Sequence, residues 1–202
     1  MQLTVRALLL VALALTLLAG QARAGLMMTM SQVGTDVIVS GNGTINLAAL
    51  TGGGNGNQLM SAGTVMPSLG SIFFAGTSPV LVFGLGDISG PTSFGTGLGL
   101  FASSGSGDNF GITQSINGSI FIQFPRTYVS GAQLSGTMTF AGRTFSNLGV
   151  TPGEYTWTWG QGQTADFAVL QIAAPRMAAP EPSTLALLGL SLAGLGFARR
   201  KQ

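Results

Sequence analysis

The sequence contains no cysteine and no histidine, and it carries few charges. Only 8 of its 202 residues are Lys or Arg and only 6 are Asp or Glu, so charged residues make up 7% of the chain. Ordinary soluble domains carry about 25%. Without Cys or His the chain has no disulfide, no thiolate nucleophile, no imidazole base and none of the usual zinc or haem ligands. These absences exclude most redox, metal-centred and His-dependent enzymes.

The few basic residues lie mostly at the two ends of the chain. The terminal bases are Arg6, Arg23, Arg199, Arg200 and Lys201. Between residues 25 and 179 there are three arginines, five carboxylates and no lysine, so the middle of the chain is mildly acidic. Nucleic-acid binding needs clustered Lys and Arg on one surface. The charge distribution therefore predicts no nucleic-acid partner.

The first 24 residues have the order of a secretory signal peptide. Arg6 supplies the positive start, residues 7–19 are almost uninterruptedly apolar, and Ala22 and Ala24 form an A-x-A cleavage site. The apolar run is shorter than the roughly 20 residues that a membrane-spanning helix needs. We therefore expect signal peptidase to cleave after Ala24, with an uncleaved N-terminal anchor as the alternative.

The C-terminal segment is built from three parts. They are, in order, Pro180-Glu181-Pro182, an apolar run over residues 184–198, and Arg199-Arg200-Lys201. Pro182 and Ser183 are residues that favour the start of a helix. At 1.5 Å per residue the run forms a helix of about 22 Å, shorter than a hydrocarbon core of about 30 Å. We expect a transmembrane helix over 184–198 with its basic end in the cytoplasm.

This order of Pro-Glu-Pro, short apolar run and basic end resembles the PEP-CTERM sorting signal of Gram-negative bacteria. The resemblance covers residues 179–202. It implies recognition by an exosortase, a membrane-embedded cysteine protease or transpeptidase that acts near Pro180-Glu181-Pro182. It further implies an exported protein that is held transiently in the cytoplasmic membrane and then reaches the cell surface or an extracellular matrix of exopolysaccharide and biofilm. An ordinary single-pass anchor that keeps Arg199-Arg200-Lys201 is the alternative.

Residues 25–176 are predicted to form one Gly/Ser/Thr-rich β domain, and residues 177–202 a linker and the sorting signal. Alternation of apolar and polar residues dominates, as in residues 134–140 and 154–159. Further predicted strands cover residues 36–40, 44–47, 72–75, 80–83, 119–124 and 166–172. The pattern predicts an all-β fold, a single sandwich or jelly-roll-like domain flanked by the N-terminal signal helix and the C-terminal hydrophobic helix. Residues 51–57 and 101–108 are predicted to be flexible glycine-rich loops.

The β domain also resembles a group of PEP-CTERM proteins that have no assigned reaction. The residues that carry this resemblance are 93–97, 101–108, 128–131 and 151–160. The resemblance implies export and a β-rich domain, and it implies no chemistry.

Few side chains of the β domain are suited to catalysis. Its carboxylates are Asp36, Asp87, Asp108, Glu154 and Asp166. Most of them lie in predicted turns, where Asp is commonly a structural residue. We expect no enzymatic activity, no cofactor and no metal site, with calcium at Asp87 or Asp108 as an alternative. A structural or adhesive role at the surface or in the matrix is the favoured function.

The aromatic strand suggests a second function. Tyr155, Trp157 and Trp159 fall on one face of the strand and would stack on sugar rings if that face were exposed. Burial in the core is the favoured interpretation, because large aromatic side chains are normally buried in a sandwich. The alternative function is a non-catalytic carbohydrate-binding module within the exopolysaccharide. Two glycosylation sequons, Asn42-Gly43-Thr44 and Asn117-Gly118-Ser119, are interpreted as turn residues.

Overall fold

The computed structural model describes residues 25–56, 62–76 and 81–174. These residues form two β-sheets that pack face to face, which confirms the predicted all-β sandwich. The predicted signal helix within residues 1–24 and the predicted helix over 184–198 lie outside the described residues. Within the three described ranges, no helix is long and apolar enough to cross a membrane.

The first sheet has six strands, and all but one of its strand pairs are antiparallel. Its spatial order is β12 (Gly153–Trp159), β13 (Asp166–Ile172), β1 (Leu26–Val33), β2 (Asp36–Gly43), β11 (Leu134–Phe140) and β8 (Ser104–Gly107). The exception is the parallel pair of β1 and β13. This arrangement places the aromatic strand β12 at one edge and the glycine-rich strand β8 at the other.

The second sheet has seven strands, each antiparallel to its neighbours. Its spatial order is β3 (Thr51–Gly56), β6 (Leu81–Leu85), β10 (Ile120–Pro125), β9 (Phe110–Gln114), β5 (Ser71–Phe74), β4 (Thr64–Met66) and β7 (Leu100–Phe101). The chain passes from β7 in this sheet to β8 in the first sheet within two residues. That crossover joins the two sheets along one side of the sandwich.

Helical structure in the described residues is limited to single turns. Three 3-10 turns cover Leu47–Ala49, Pro67–Leu69 and Gly162–Thr164. The single α-helical turn, α1 (Phe145–Leu148), begins at Thr144, whose hydroxyl accepts from the Asn147 backbone N–H. It ends at Gly149, which has φ 65°, a left-handed conformation that glycine adopts without a Cβ penalty.

The core lies between the two sheets and follows from the alternation in the strands. In β11, Leu134, Met138 and Phe140 are buried while Ser135 and Thr137 are exposed. Successive strand residues point to opposite faces, so one face of each such strand joins the core. Each fully buried large apolar side chain stabilises the fold by about 1.5–3 kcal/mol relative to an exposed one.

Several strand predictions are confirmed and others are wrong. Residues 134–140 and 166–172 form strands with the predicted bounds. The prediction over 44–47 is wrong, because the Asn46 side chain accepts from Ala48 N and starts a 3-10 turn there. The predicted loops over 51–57 and 101–108 contain β3, part of β7 and β8. Glycine is a poor strand former alone, but pairing with a neighbouring strand supplies the hydrogen bonds that hold it.

Candidate functional site

The three aromatic residues of β12 face the core. Trp157 is 0% exposed and Trp159 is 2% exposed, and Tyr155 is half-buried. The indole N–H of Trp157 donates to the carbonyl oxygen of Pro91 at 3.1 Å, and that of Trp159 donates to the carbonyl oxygen of Asn46 at 3.4 Å. Both tryptophans are therefore buried with their polar atoms paired, as buried indoles usually are.

A segment over residues 88–95, named the strap, covers the free edge of β12. The backbones of Ser89 and Thr158 exchange two hydrogen bonds, at 2.9 and 2.8 Å. Further along the strap, the centroid of the Phe94 ring lies 5.8 Å from that of the Tyr155 ring. Gly95 forms an antiparallel β-bridge with Val150. The strap occupies the free edge of β12, so that edge is not open to pairing with a further strand. It also helps to bury the indoles of Trp157 and Trp159.

The burial of β12 corrects the carbohydrate interpretation of Tyr155, Trp157 and Trp159. Stacking on a sugar ring needs an exposed aromatic face, and both indoles are inside the sandwich. The hydroxyl of Tyr155 is also engaged, because it donates to the carbonyl oxygen of Thr151 at 3.0 Å. The physical reason is size, since two tryptophans are among the largest apolar groups available to fill this core.

The outer face of the first sheet carries a row of polar side chains that crosses all six strands. The row, named the hydroxyl row, consists of Ser106, Thr137, Ser40, Thr29, Gln171 and Glu154, which are successive cross-strand partners. The hydroxyls of Ser106 and Thr137 lie 2.9 Å apart, and so do those of Thr29 and Ser40. At the far end Gln171 donates to the Glu154 carboxylate at 3.3 Å. The row is therefore a partly hydrogen-bonded array with a single charge at one end.

A shallow groove of about 280 Å³ lies beside the hydroxyl row. Its lining residues are Ser40, Gly41, Asn42, Ser106, Gly107, Ser135, Gly136 and Thr137. Gly41, Gly136 and Gly107 are aligned across three adjacent strands. All lining side chains are uncharged, so the groove offers hydroxyl, amide and backbone hydrogen-bonding groups.

The carboxylates of Asp36, Asp108 and Asp166 accept hydrogen bonds from backbone N–H groups. Asp108 accepts from Ser135 N at 2.9 Å, and Asp36 accepts from Gly142 N at 2.8 Å. These bonds tie separate segments together, which is a structural role. Within the described ranges, no group of three or more Asp or Glu side chains could hold a metal ion.

Asp166 is the buried carboxylate of the domain, with 5% exposure. It accepts from Asn46 N at 2.6 Å and from Phe167 N at 2.8 Å. Burial raises the pKa of Asp166 above its ordinary value of 3.8, and the two backbone hydrogen bonds oppose that rise. The carboxylate thereby fixes the loop that contains Asn46 to the start of β13.

Tyr128 fixes a second point of the same region. Its hydroxyl accepts from Ile45 N at 2.8 Å and donates to the carbonyl oxygen of Ala132 at 2.7 Å. Burial is also the main reason that the pKa of Tyr128 is raised. The sequence assigns no role to Tyr128 or to the hydroxyl row, although the alternating Ser and Thr in residues 134–140 are a usable signal for the row.

The comparison with protein families identifies the C-terminal segment. The profile of the PEP-CTERM protein-sorting motif matches residues 178–201. The chain carries a PEP-CTERM sorting motif. The match confirms the resemblance found in the sequence, and the motif implies exosortase-dependent export through the membrane to the cell surface. Comparisons with curated proteins and with solved structures find no match.

The PEP-CTERM match covers the predicted sorting residues, which lie outside the described part of the structure. These residues are Pro180, Glu181, Pro182, Arg199, Arg200 and Lys201. The predicted cleavage residues Ala22 and Ala24 also lie outside it, so cleavage there stays a prediction. The described β-sandwich precedes the sorting motif in the chain.

Proposed function

We propose that this PEP-CTERM protein is a non-catalytic structural or adhesive component of the cell surface or of the exopolysaccharide and biofilm matrix. Signal peptidase and exosortase process it, and it is held in the cytoplasmic membrane only transiently. The observation that carries the proposal is the sorting motif at residues 178–201, joined to a β-sandwich whose hydroxyl row carries a single charge, at Glu154.

The partners of the carboxylates support a non-catalytic role. General acid–base catalysis needs carboxylates positioned to reach a substrate. The carboxylates of Asp36, Asp108 and Asp166 instead accept hydrogen bonds from backbone N–H groups of the protein itself. Asp166, whose pKa is raised, is buried beneath the surface and adjoins the loop containing Asn46.

The hydroxyl row favours the second candidate function, non-catalytic carbohydrate binding. A hydroxyl both donates and accepts hydrogen bonds, so a row of hydroxyls complements the hydroxyls of a polysaccharide. The adjoining groove supplies a preformed depression with uncharged walls, and bridging waters fill remaining gaps in such polar contacts. In this proposal the exopolysaccharide lies in the groove on the outer face of the first sheet, over β2, β11 and β8.

Two measurements on the natural protein test these proposals. The first is the intact mass of the chain recovered from envelope and culture fractions of the native host. A surface chain that begins at Gly25 and ends near Pro180 supports the processing scheme. A surface chain that retains Arg199-Arg200-Lys201 overturns it.

The second measurement is retention of the protein on exopolysaccharide purified from the same host. We expect Thr137→Lys, in the groove, to lower retention at least tenfold, because a long charged side chain fills the groove. Thr156→Lys places the same charge on β12, outside the groove, and should leave retention unchanged. Equal retention of both variants and the original chain would exclude binding at the hydroxyl row. Absence of any retention would leave only the structural role.

A further inference from the structure

The two Asn-Gly-Ser/Thr sequons lie in different backbone environments. Asn42-Gly43-Thr44 begins inside β2, and Asn117-Gly118-Ser119 lies in the hairpin that connects β9 to β10. The Asn-x-Ser/Thr tripeptide is the acceptor sequence for N-linked sugars on surface loops of exported proteins. Whether the sequon lies in a paired strand or in a hairpin turn decides which of the two asparagines an enzyme can reach.

The β9–β10 hairpin presents Asn117 at an exposed tip. Residues 116–119 are all exposed, and Ile116 is 96% exposed. Gly118 N donates to the Ser115 carbonyl oxygen at 2.9 Å, which closes a turn, and Gly118 has φ 89°. The tip is therefore a hydrogen-bonded turn whose residues 116–119 are exposed to solvent.

The hydrogen bonds of Asn117 engage its carbonyl oxygen and leave its amide nitrogen available. Ser119 N donates to Asn117 Oδ1 at 3.2 Å, and the Ser115 hydroxyl donates to the same oxygen. In the described part of the chain no hydrogen bond engages Asn117 Nδ2, the atom that takes the sugar. The same turn places the Asn117 side chain beside Ser119, the third residue of the sequon.

Asn42 has an exposed side chain, but its backbone is held on both sides. Asn42 pairs with Met27 of β1 and with Ser135 of β11. The next residue, Gly43, has φ 137°, and a Cβ there would lie 2.9 Å from Leu26 Cα. An enzyme could take this sequon into its active site only by separating β2 from both neighbouring strands.

We propose that Asn117 is an N-glycosylation site, modified outside the cytoplasm with an oligosaccharide from an isoprenoid-diphosphate carrier. In the reaction Asn117 Nδ2 attacks the anomeric carbon C1 of the first sugar. The Nδ2–C1 bond forms while the bond from C1 to the diphosphate oxygen breaks. The isoprenoid diphosphate leaves with the electron pair, and the amide proton passes to a base of the transferase. Export through the sorting motif brings the acceptor to the compartment where this donor is used.

The test uses the full chain expressed in its native host and recovered from the envelope and culture fractions. Cleavage after Phe110 and Phe121 releases the peptide of residues 111–121, which contains Asn117 and excludes Asn42. Mass spectrometry should find this peptide with an added glycan and with sugar fragment ions. Finding the peptide only at its unmodified mass, or only with the small shift of deamidation, overturns the proposal.

Matched variants separate this site from the alternatives. Asn117→Gln and Ser119→Ala should each remove the added mass, because each destroys the sequon. Ser119→Thr keeps the sequon and should keep the glycan, and Asn42→Gln should leave the mass of the 111–121 peptide unchanged. A glycan that persists on this peptide in Asn117→Gln would be attached to a serine or threonine, and that result would also overturn the proposal.

Discussion

Phe74 and Phe110 stack ring on ring, with centroids 4.6 Å apart and planes inclined by 19°. The two rings lie on the inner face of the second sheet and press against the first sheet at Gly41 and Gly136. A Cβ at Gly41 would lie 2.9 Å from Phe74 Cζ and 3.0 Å from Phe110 Cε2. Glycine at these positions lets the aromatic pair approach the opposite sheet closely, and the packing of the two sheets depends on it.

The first prediction concerns this contact. Gly41→Ala should lower the free energy of unfolding by about 1–3 kcal/mol, the usual cost of overpacking a core. Ser40→Ala, on the outer face of the same strand, is the control and should change the free energy by no more than about 0.5 kcal/mol. Urea unfolding followed by circular dichroism measures both.

A second substitution tests whether the overpacking arises at Phe110. Phe110→Leu should make Gly41→Ala less costly than it is in the original chain, because the smaller side chain leaves room for the added methyl group. Residues in contact show such non-additivity in a double-mutant cycle. Additive effects of the two substitutions would show that the Gly41 contact with Phe110 does not set the cost.

The second prediction concerns tryptophan fluorescence. Trp157 and Trp159 are the two tryptophans of the chain, so its indole emission reports the core alone. Iodide should quench the emission weakly in the folded protein and strongly in concentrated urea, because both indoles are buried. Strong quenching of the folded protein would contradict the burial of β12 and restore the aromatic face as a binding surface.

The third prediction concerns the strap over residues 88–95. A Cβ at Gly90 would lie 2.7 Å from Trp157 Cγ, so Gly90→Ala should push the strap away from β12. We expect iodide quenching to rise and the free energy of unfolding to fall by about 1–3 kcal/mol. Asp87→Ala, at an exposed position just before the strap, is the control and should change neither quantity. Unchanged quenching in Gly90→Ala would mean that the strap does not shield the indoles.

The sequence predicted the strands that alternate clearly and missed those rich in glycine. Residues 134–140 alternate because one face meets the core, and this local pattern is readable without the structure. Ser104–Gly107 forms a strand because β11 pairs with it, and that partner lies about thirty residues away in the chain. Local propensity contains no information about such a partner, so β8 resembled a flexible loop.

Predicting the candidate site requires even more knowledge of strand order and register, which link residues far apart in the chain. Ser40 and Thr137 were visible as polar residues in predicted strands, but their alignment with Thr29 requires the order of β1, β2 and β11. The buried environment of Trp157 likewise depends on the strap, which reaches it from residues 88–95. The sorting motif was readable because its three parts are contiguous in the chain.

The fourth prediction concerns the pH dependence of stability. Burial raises the pKa of Asp166 above 3.8 in the folded protein, so folding favours the protonated carboxyl. The stability from this group is therefore fully present below pH 3.8 and is lost as the pH rises through the raised pKa. The free energy of unfolding of the original chain, minus that of Asp166→Asn, should decrease across this interval.

Urea titrations of both chains at a series of pH values measure that difference. Asp166→Asn has no titrating group at this position. Subtracting its free energy of unfolding at each pH therefore removes the contribution of all other groups. A difference that stays constant, or that increases with pH, would contradict the raised pKa. It would instead mean that the hydrogen bonds from Asn46 N and Phe167 N outweigh the cost of burying the charge.

The fifth prediction concerns processing at the sorting motif. Glu181 is the single charged residue between Arg176 and Arg199, and a proline flanks it on each side. A protease at the membrane surface can recognise this isolated carboxylate just before the apolar run. We expect Glu181→Ala to accumulate in the membrane fraction as a chain that still carries Arg199-Arg200-Lys201, detected by intact mass. Glu154→Ala removes a carboxylate from the β-sandwich instead and should be processed normally. If Glu181→Ala reached the surface with its C-terminus removed, recognition would have to rest on the prolines and the apolar run alone.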